Sequence, residues 1–308
     1  MIESGEGTAR RGDVGNRLFS ALLAAILIAF LAATLLVLMS NVWYLAQARN
    51  MKGQTGWQIF VGCLHDPEVH FAVRLSVTSA LLTMVISLFF AIPAAYVLSR
   101  YHFRGEKLVD TILDLPIVVP PPVIGISLLM FFLSPAGALV NRLTPGPLVA
   151  LLNGFLSLAT GHTISDDGST WVYTTRGIVM AQFFVACAFG VRAIKATFDT
   201  IGARHENVAR TLGCTRMQAF FKVVLPMAAT GLVAGAVMTW ARAIAEFGPV
   251  LFFAGSTRWK TEVMPIGMFL MYSSNEFEKA VALVIIMILI STITLLAFKR
   301  LGGKGYLW

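Results

Sequence analysis

The stretch "ENVARTLGCTRMQAFFKVVLP", residues 206–226, lies between two long apolar runs. Around it, the segment 203–222 carries basic residues at 204, 210, 216 and 222. Gly213 interrupts the segment, and a glycine inside a helix costs about 1 kcal/mol relative to alanine. The pattern predicts two short helices joined at a glycine elbow. Pro226 limits continuation of the second helix and marks the return to apolar sequence. Val208, Leu212, Met217, Phe220 and Phe221 then need a surface to cover. On a segment this short, that surface is another protein or the lipid interface.

The flanking runs set the class. Of the 308 residues, 57% are hydrophobic and 13% charged, with a mean hydropathy of +0.75. Soluble domains carry about 25% charged residues. Several runs reach the roughly 20 residues a helix needs to cross the hydrocarbon core. They are continuous rather than alternating, which argues against a barrel. The expected fold class is an all-α polytopic membrane protein. The net charge of +8 fits basic loops that orient spans better than a nucleic-acid surface. Cys63, Cys187 and Cys214 have no metal or disulfide spacing.

Six spans are expected, at about 18–40, 70–98, 110–133, 176–198, 224–246 and 280–300. Residues 1–17 read as a polar tail, and 18–40 as a retained anchor, longer than the roughly 7–15 residues of a signal-peptide core. Of the 24 lysines and arginines, Arg74 and Arg242 fall within spans. One set of connecting segments holds Arg49, Lys52, Arg142, Arg176, Arg258, Lys260 and Lys279, and the alternate set holds the other fifteen. That excess predicts cytoplasmic termini and a cytoplasmic 203–222 loop. Within the extracytoplasmic segment 134–175, "PLVALLNGFLSLATG" is apolar but too short to span, so it is expected to pack on the outer face.

The opening segment resembles the "EAA" loop of the membrane-embedded permeases of ABC importers, which ends G-x9-I/V-x-L-P. Here Gly213, Val223, Leu225 and Pro226 occupy those places. The register "ENVARTLG" is similar to the E-x-A-A-R-T-L-G of the molybdate/tungstate/sulfate branch, with Glu206, Ala209, Leu212 and Gly213 matching and Val208 departing. "WARAIAEFGPVLFFAG" (240–255) resembles that branch's R-[AS]-[LI]-[GA]-E-F-G-A segment through Arg242, Glu246, Phe247 and Gly248, with Pro249 where alanine is usual. "LPIVVPPPVIGISLL" (115–129) resembles its L-P-L-V-x-P-P-V-V-x-G. The likeness covers roughly 65–133 and 176–300.

The resemblance implies a six-span permease core over 65–300 whose 203–222 loop couples to an ATPase. The implied partners are two cytosolic ATPase subunits that carry ATP and Mg, an extracytoplasmic substrate-binding protein, a second permease copy and the bilayer. No nucleic-acid partner is implied. The implied cargo is a tetrahedral oxyanion, molybdate or tungstate first and sulfate next, moved by ATP-driven alternating access.

The remaining residues add detail. Pro120, Pro121 and Pro122 each remove a backbone donor, and the expectation is a kinked span beside the translocation path. The alternative is a simple first-turn position. Arg242 and Glu246, four residues apart, are expected to pair and brace a gate. "HDPEVH" (65–70) lacks the spacing of a metal site and reads as a polar entry to the second span. No G-x4-G-K-[ST] occurs, so no phosphate-cradling loop, bound cofactor, resident metal or catalytic group is expected in this chain. Two rivals remain. A self-contained secondary transporter or channel needs intramembrane carboxylates, for which Glu246 is the sole candidate. A membrane enzyme needs clustered polar groups, which are not found.

Overall fold

The computed structural model describes residues 6–48, 53–144, 146–163 and 171–301. Its fourteen α-helices are α1 (Glu6–Gln47), α2 (Gly56–Leu64), α3 (Pro67–Arg100), α4 (Glu106–Val118), α5 (Pro121–Leu133), α6 (Pro135–Leu143), α7 (Gly146–Thr160), α8 (Thr175–Ile201), α9 (Arg204–Thr211), α10 (Arg216–Ala219), α11 (Leu225–Met227), α12 (Ala229–Ile244), α13 (Met264–Ser273) and α14 (Phe277–Leu301). Two π-helical turns, Phe220–Val224 and Val250–Ala254, complete the helical set among the described residues.

The chain divides into two compact units, residues 1–61 and 62–308. In the first, α1 begins at residue 6, so most of the expected polar tail is helical. None of its most apolar window within 18–47 is buried by protein. Its length and apolar composition suit a bilayer span.

The second unit is built on α3. Asp66 caps its start by accepting a hydrogen bond from the Glu68 amide at 2.9 Å, and Pro67 fills the first turn, where no donor is needed. At 34 residues α3 is about 51 Å long, more than the hydrocarbon thickness of about 30 Å. A row of small residues, Ser76, Ser79, Ala80, Thr83, Ser87, Ala91 and Ala95, is fully buried along it. Small side chains let helices approach closely in lipid, where burial of apolar surface gives no preference for protein over lipid. Three of the row's four hydroxyls find partners on other helices, and Ser87 Oγ has none. Thr83 Oγ1 donates to Gln182 Oε1 at 2.9 Å, Gln182 Nε2 donates to Ser79 Oγ at 3.3 Å, and the Met264 amide donates to Ser76 Oγ at 2.6 Å. Such bonds tie α3 to α8 and to the start of α13, and α12 packs against both α3 and α8.

The spans differ from the sequence reading in three places. Among the described residues four helices are long and apolar enough to cross a membrane, and up to seven spans result if each bent helix pair counts as one. The expected third span, 110–133, is two helices bent by 110°. Prolines 121 and 122 occupy the first turn of α5, so they open a new helix instead of kinking one. The expected fifth span is likewise bent, by 73°, between 216–227 and 229–244. The third difference is α13, a short apolar helix the sequence reading left in a loop.

The apolar stretch in 134–175 forms α7, which packs Leu152 and Leu156 into the same core as Trp171. Residues 145 and 164–170 of that segment lie outside the described set, as do 1–5, 49–52 and 302–308.

Candidate functional site

Two constellations stand at opposite ends of α12, which at 16 residues is about 24 Å long. The first is the polar segment before it. Glu206 and Ala209 of α9 are buried, whereas Leu212 is 81% exposed, Met217 71% and Val208 50%. Gly213 has φ +93, the left-handed conformation that side chains with a Cβ adopt at a cost. A Cβ there meets nothing within 4 Å, so the glycine is required by the backbone turn and not by crowding in this chain. Thr215 restarts the helix with a capping box. Its hydroxyl accepts from the Gln218 amide, and the Gln218 side chain accepts from the Thr215 amide at 3.0 Å. The π-helical turn Phe220–Val224 follows, then Pro226 within α11. Phe220 turns inward and meets the Tyr96 ring at 4.7 Å.

Glu206, the acidic residue of the motif, faces inward and makes no cap bond to α9. Its carboxylate is buried against the end of α3, where Tyr96 Oη donates to Oε1 at 2.9 Å and Arg100 Nε stands 3.6 Å from Oε2. Tyr96 and Arg100 went unnoticed in the sequence. Their i, i+4 spacing on a span end, opposite a lone acidic residue, was the available signal.

The second constellation joins the two other motifs. Arg242 Nη1 is 2.8 Å from Glu246 Oε2, the Glu246 residue is 2% exposed, and the Arg242 guanidinium lies 5.4 Å from the Phe189 ring centre. After α12 ends, Gly248 crosses the first turn of α5. A Cβ on Gly248 would lie 2.9 Å from Pro122 Cγ, and one on Gly125 would lie 2.7 Å from Pro249 Cα. The "PPPVIG" and "EFGPV" segments therefore touch backbone to backbone, each glycine admitting the other's proline. Pro120 and Pro121 sit at the break before this crossing and do not reach it in the same way. Phe247 leans into the core and meets Phe269 at 5.6 Å. A π-helical turn begins at Val250; such turns concentrate at functional sites.

A third ionic cluster was not expected. Arg192 of α8 grips Asp114 with two nitrogens and Asp110 at 3.0 Å, holding α4 to α8. Asp110 and Asp114 share one face of α4 by their spacing. "HDPEVH" is spent on anchoring, since Asp66 caps α3, His70 Nε2 donates to the Leu64 carbonyl at 2.6 Å and Glu68 pairs with Arg258.

With this geometry in hand, the chain can be compared with known proteins. Residues 87–304 match the family described as the binding-protein-dependent transport system inner membrane component. The chain belongs to that family. The permease is 35% identical over 244 residues to the molybdate/tungstate transport system permease protein WtpB of Thermococcus kodakarensis, covering 79% of this chain and 80% of that protein. It is 30% identical over 251 residues to the sulfate transport system permease protein CysT of Escherichia coli K12, covering 82% and 83%. It is 32% identical over 241 residues to the molybdenum transport system permease protein ModB of the same strain, covering 78% and 95%. Among solved structures, a bacterial ABC transporter that imports the acidic polysaccharide alginate superposes with a TM-score of 0.67 at 17% identity, over 96% of this chain and 99% of that one. That likeness bears on the fold alone. The permease is an all-α, multi-pass membrane protein of the ABC importer type.

Proposed function

We propose that this permease forms the path for a tetrahedral oxyanion in an ABC importer, with molybdate or tungstate as cargo ahead of sulfate. Relatives named for molybdate and tungstate stand at 35% and 32% identity, against 30% for the sulfate permease. The observation that carries the coupling role is the loop's division of labour. Glu206 and Phe220 fix the loop to α3, while Val208, Leu212 and Met217 are left facing outward. Exposed apolar side chains on a rigidly held polar helix are what a partner groove covers.

In this reading a cytosolic ATPase subunit takes that face on each of two permease copies, and ATP with Mg stays on the ATPases. A substrate-binding protein delivers the anion from outside; one solved alginate transporter of similar fold is in complex with its periplasmic protein. Closure of the ATPases moves the loop, and α12 carries that motion to the crossing of Gly248 with Pro122. The termini and 203–222 face the cytosol. The Arg242–Glu246 pair braces the gate; it does not bind the anion, which a carboxylate repels. The carboxylate on which a self-contained transporter or channel rested, Glu246, is tied to Arg242.

The test is reconstitution in proteoliposomes with a candidate ATPase and a candidate substrate-binding protein of the same source. Uptake of molybdate, tungstate and sulfate is then measured against each other. Oxyanion uptake that requires ATP, ATPase and binding protein is expected. Uptake by the permease alone, or none of the three anions moving, refutes the reading.

A further inference from the structure

At the far end of α3 from the Glu206 anchor, a fully buried carboxyl and a largely buried one share a site. Glu262 is fully buried and belongs to the turn between the second π-helical turn and α13; Glu68 stands in the first turn of α3. Both carboxyls close on the Arg258–Glu262 turn, near enough for their like charges to act on one another. Glu262 Oε2 accepts from the Trp259 amide at 3.2 Å, and Arg258 Nε lies 3.2 Å from Glu68 Oε1. Glu68 Oε1 and Glu262 Oε1 are both buried, and neither receives a hydrogen bond from any donor of the protein.

The turn itself is built around this contact. Trp259 has φ +60, a left-handed conformation costly for a large residue. It is held by the Glu262 carboxylate on its amide and by its ring, which meets His162 at 5.2 Å and Phe71 at 5.6 Å. Thr261 Oγ1 accepts from the Thr257 amide and donates to the Gly255 carbonyl, both at 3.0 Å.

Two ionised carboxylates in contact repel, and a buried one must find a donor or lose its charge. Arg258 offsets only one of them. The missing donor is a proton. We propose that Glu68 and Glu262 form a proton-binding site, one hydrogen bridging their Oε1 atoms, and that this bridge latches the start of α3 to the turn before α13. With the proton in place the site is neutral: one carboxylate, one carboxylic acid, one guanidinium. When the proton leaves, an unbalanced negative charge stays in a buried site and the latch opens.

The charged groups facing Glu262 are Glu68 from α3 and Arg258 from its own turn. From α13, Gly267 stands behind it with no charge, and His162 lies beyond the Trp259 ring. Burial pushes the Glu262 carboxyl up to about 7. The Trp259 amide opposes that rise, the Glu68 carboxyl adds to it, and Arg258 opposes it least. The folded-state value is raised, so the folded protein holds its proton at pH values where the unfolded chain has released it. The latch's contribution is therefore complete in acid. It falls as pH climbs from the ordinary glutamate range through about 7, and it stays lost above that.

The test uses the whole permease in nanodiscs and needs no substrate, so it stands or falls separately from the transport reading. Infrared difference spectra from about pH 5 to about pH 9 follow protonated-carboxyl absorption, and hydrogen exchange follows residues 256–264. The wild type is expected to lose one buried carboxylic-acid band near pH 7, with exchange in 256–264 rising over the same range. Glu262→Gln removes the band and flattens the exchange profile, because its amide donates at every pH. Glu68→Gln carries the test even if Glu262→Gln does not fold. Its amide donates to Glu262 and the like charge is gone, so the midpoint drops. A wild type without such a band, or a midpoint unmoved in Glu68→Gln, overturns the proposal.

Discussion

Replacing Glu206 by alanine tests whether the loop is held by its buried carboxylate. The side chains of Arg100 and Glu206 are 9% and 10% exposed, so solvent screens their attraction little. Removal of Glu206 leaves Arg100 buried without its counter-charge, and leaves the Tyr96 hydroxyl without its acceptor at 2.9 Å. Arg100 Nε and Nη2 already lack hydrogen-bond acceptors; Ser99 Oγ accepts from Nη1 and Asp199 acts on the guanidinium from further off, so part of the charge stays offset and the lower end of the cost applies. Breaking a buried pair by removing one partner costs about 3–5 kcal/mol. The lower figure corresponds to roughly a hundredfold change in a local opening equilibrium. The anchor is local, so the loss should show in α9 and not in the α3–α8 core.

The assay is hydrogen exchange in detergent or nanodiscs, compared between 204–212 and 178–194. In Glu206→Ala the first window is expected to exchange about a hundredfold faster, with the second unchanged. Glu206→Gln keeps an acceptor for Tyr96 and should lose less. Arg100→Ala removes the orphaned charge, so the double variant Arg100→Ala, Glu206→Ala should be milder than the two single losses added. Unchanged protection of 204–212 in Glu206→Ala would refute the anchor, and strict additivity would refute the pair.

Gly213→Leu should strain the elbow by about 1–2 kcal/mol, since its φ is +93. The permease should still insert while recovery of the ATPase in a detergent pull-down falls; full recovery counts against docking. Arg242→Ala and Glu246→Ala should each lower transport at matched membrane levels more than the double variant does, because Glu246 is 2% exposed and 2.8 Å from Arg242; additive losses argue against a brace. Reporter fusions at 199–222 and at the C-terminus should behave as cytoplasmic, and those within 134–175 and 249–279 as extracytoplasmic. An external signal from 199–222 would invert the whole assignment.

Much of the architecture was legible because lipid makes long apolar runs and punctuating prolines unambiguous. The runs behind α3, α8 and α14 appear in the structure within a few residues of their expected limits. Bends were harder to read. Pro120, Pro121 and Pro122 were seen, but a proline row opens a helix as readily as it kinks one, and nothing local distinguishes a kink from a 110° break. Glu206 was found by its motif register, without its neighbours. Its partners, Tyr96 and Arg100, are more than a hundred residues away, and pairing at that distance is set by how α3 and α9 pack. The crossing of Gly248 with Pro122 was hidden for the same reason. Each motif carried a glycine and a proline, but only the fold shows that each glycine makes room for the other motif's proline.

That crossing limits how the two ends of α12 can communicate. At 2.9 Å from a would-be Cβ, Pro122 leaves the segment after α12 no room to slide along α5 without lifting away. At the other end, Ala228 separates α11 from α12 in a 73° bend, just after the π-helical turn that packs on the Glu206 anchor. Pro226, two residues before the bend, has no backbone donor, so the bend carries one hydrogen bond fewer than a regular helix, although Ala228 itself still bonds to Val224 and Leu232. Movement of the loop is therefore absorbed at residue 228 or delivered as a lever motion of α12, whose far end must separate from α5 rather than shear past it. A disulfide between α12 and α8 that stops this lever should abolish opening of the Gly248–Pro122 crossing while leaving the 203–222 face free. If a crossing-specific cross-link still formed and broke with the α12–α8 disulfide in place, α12 would not be the lever.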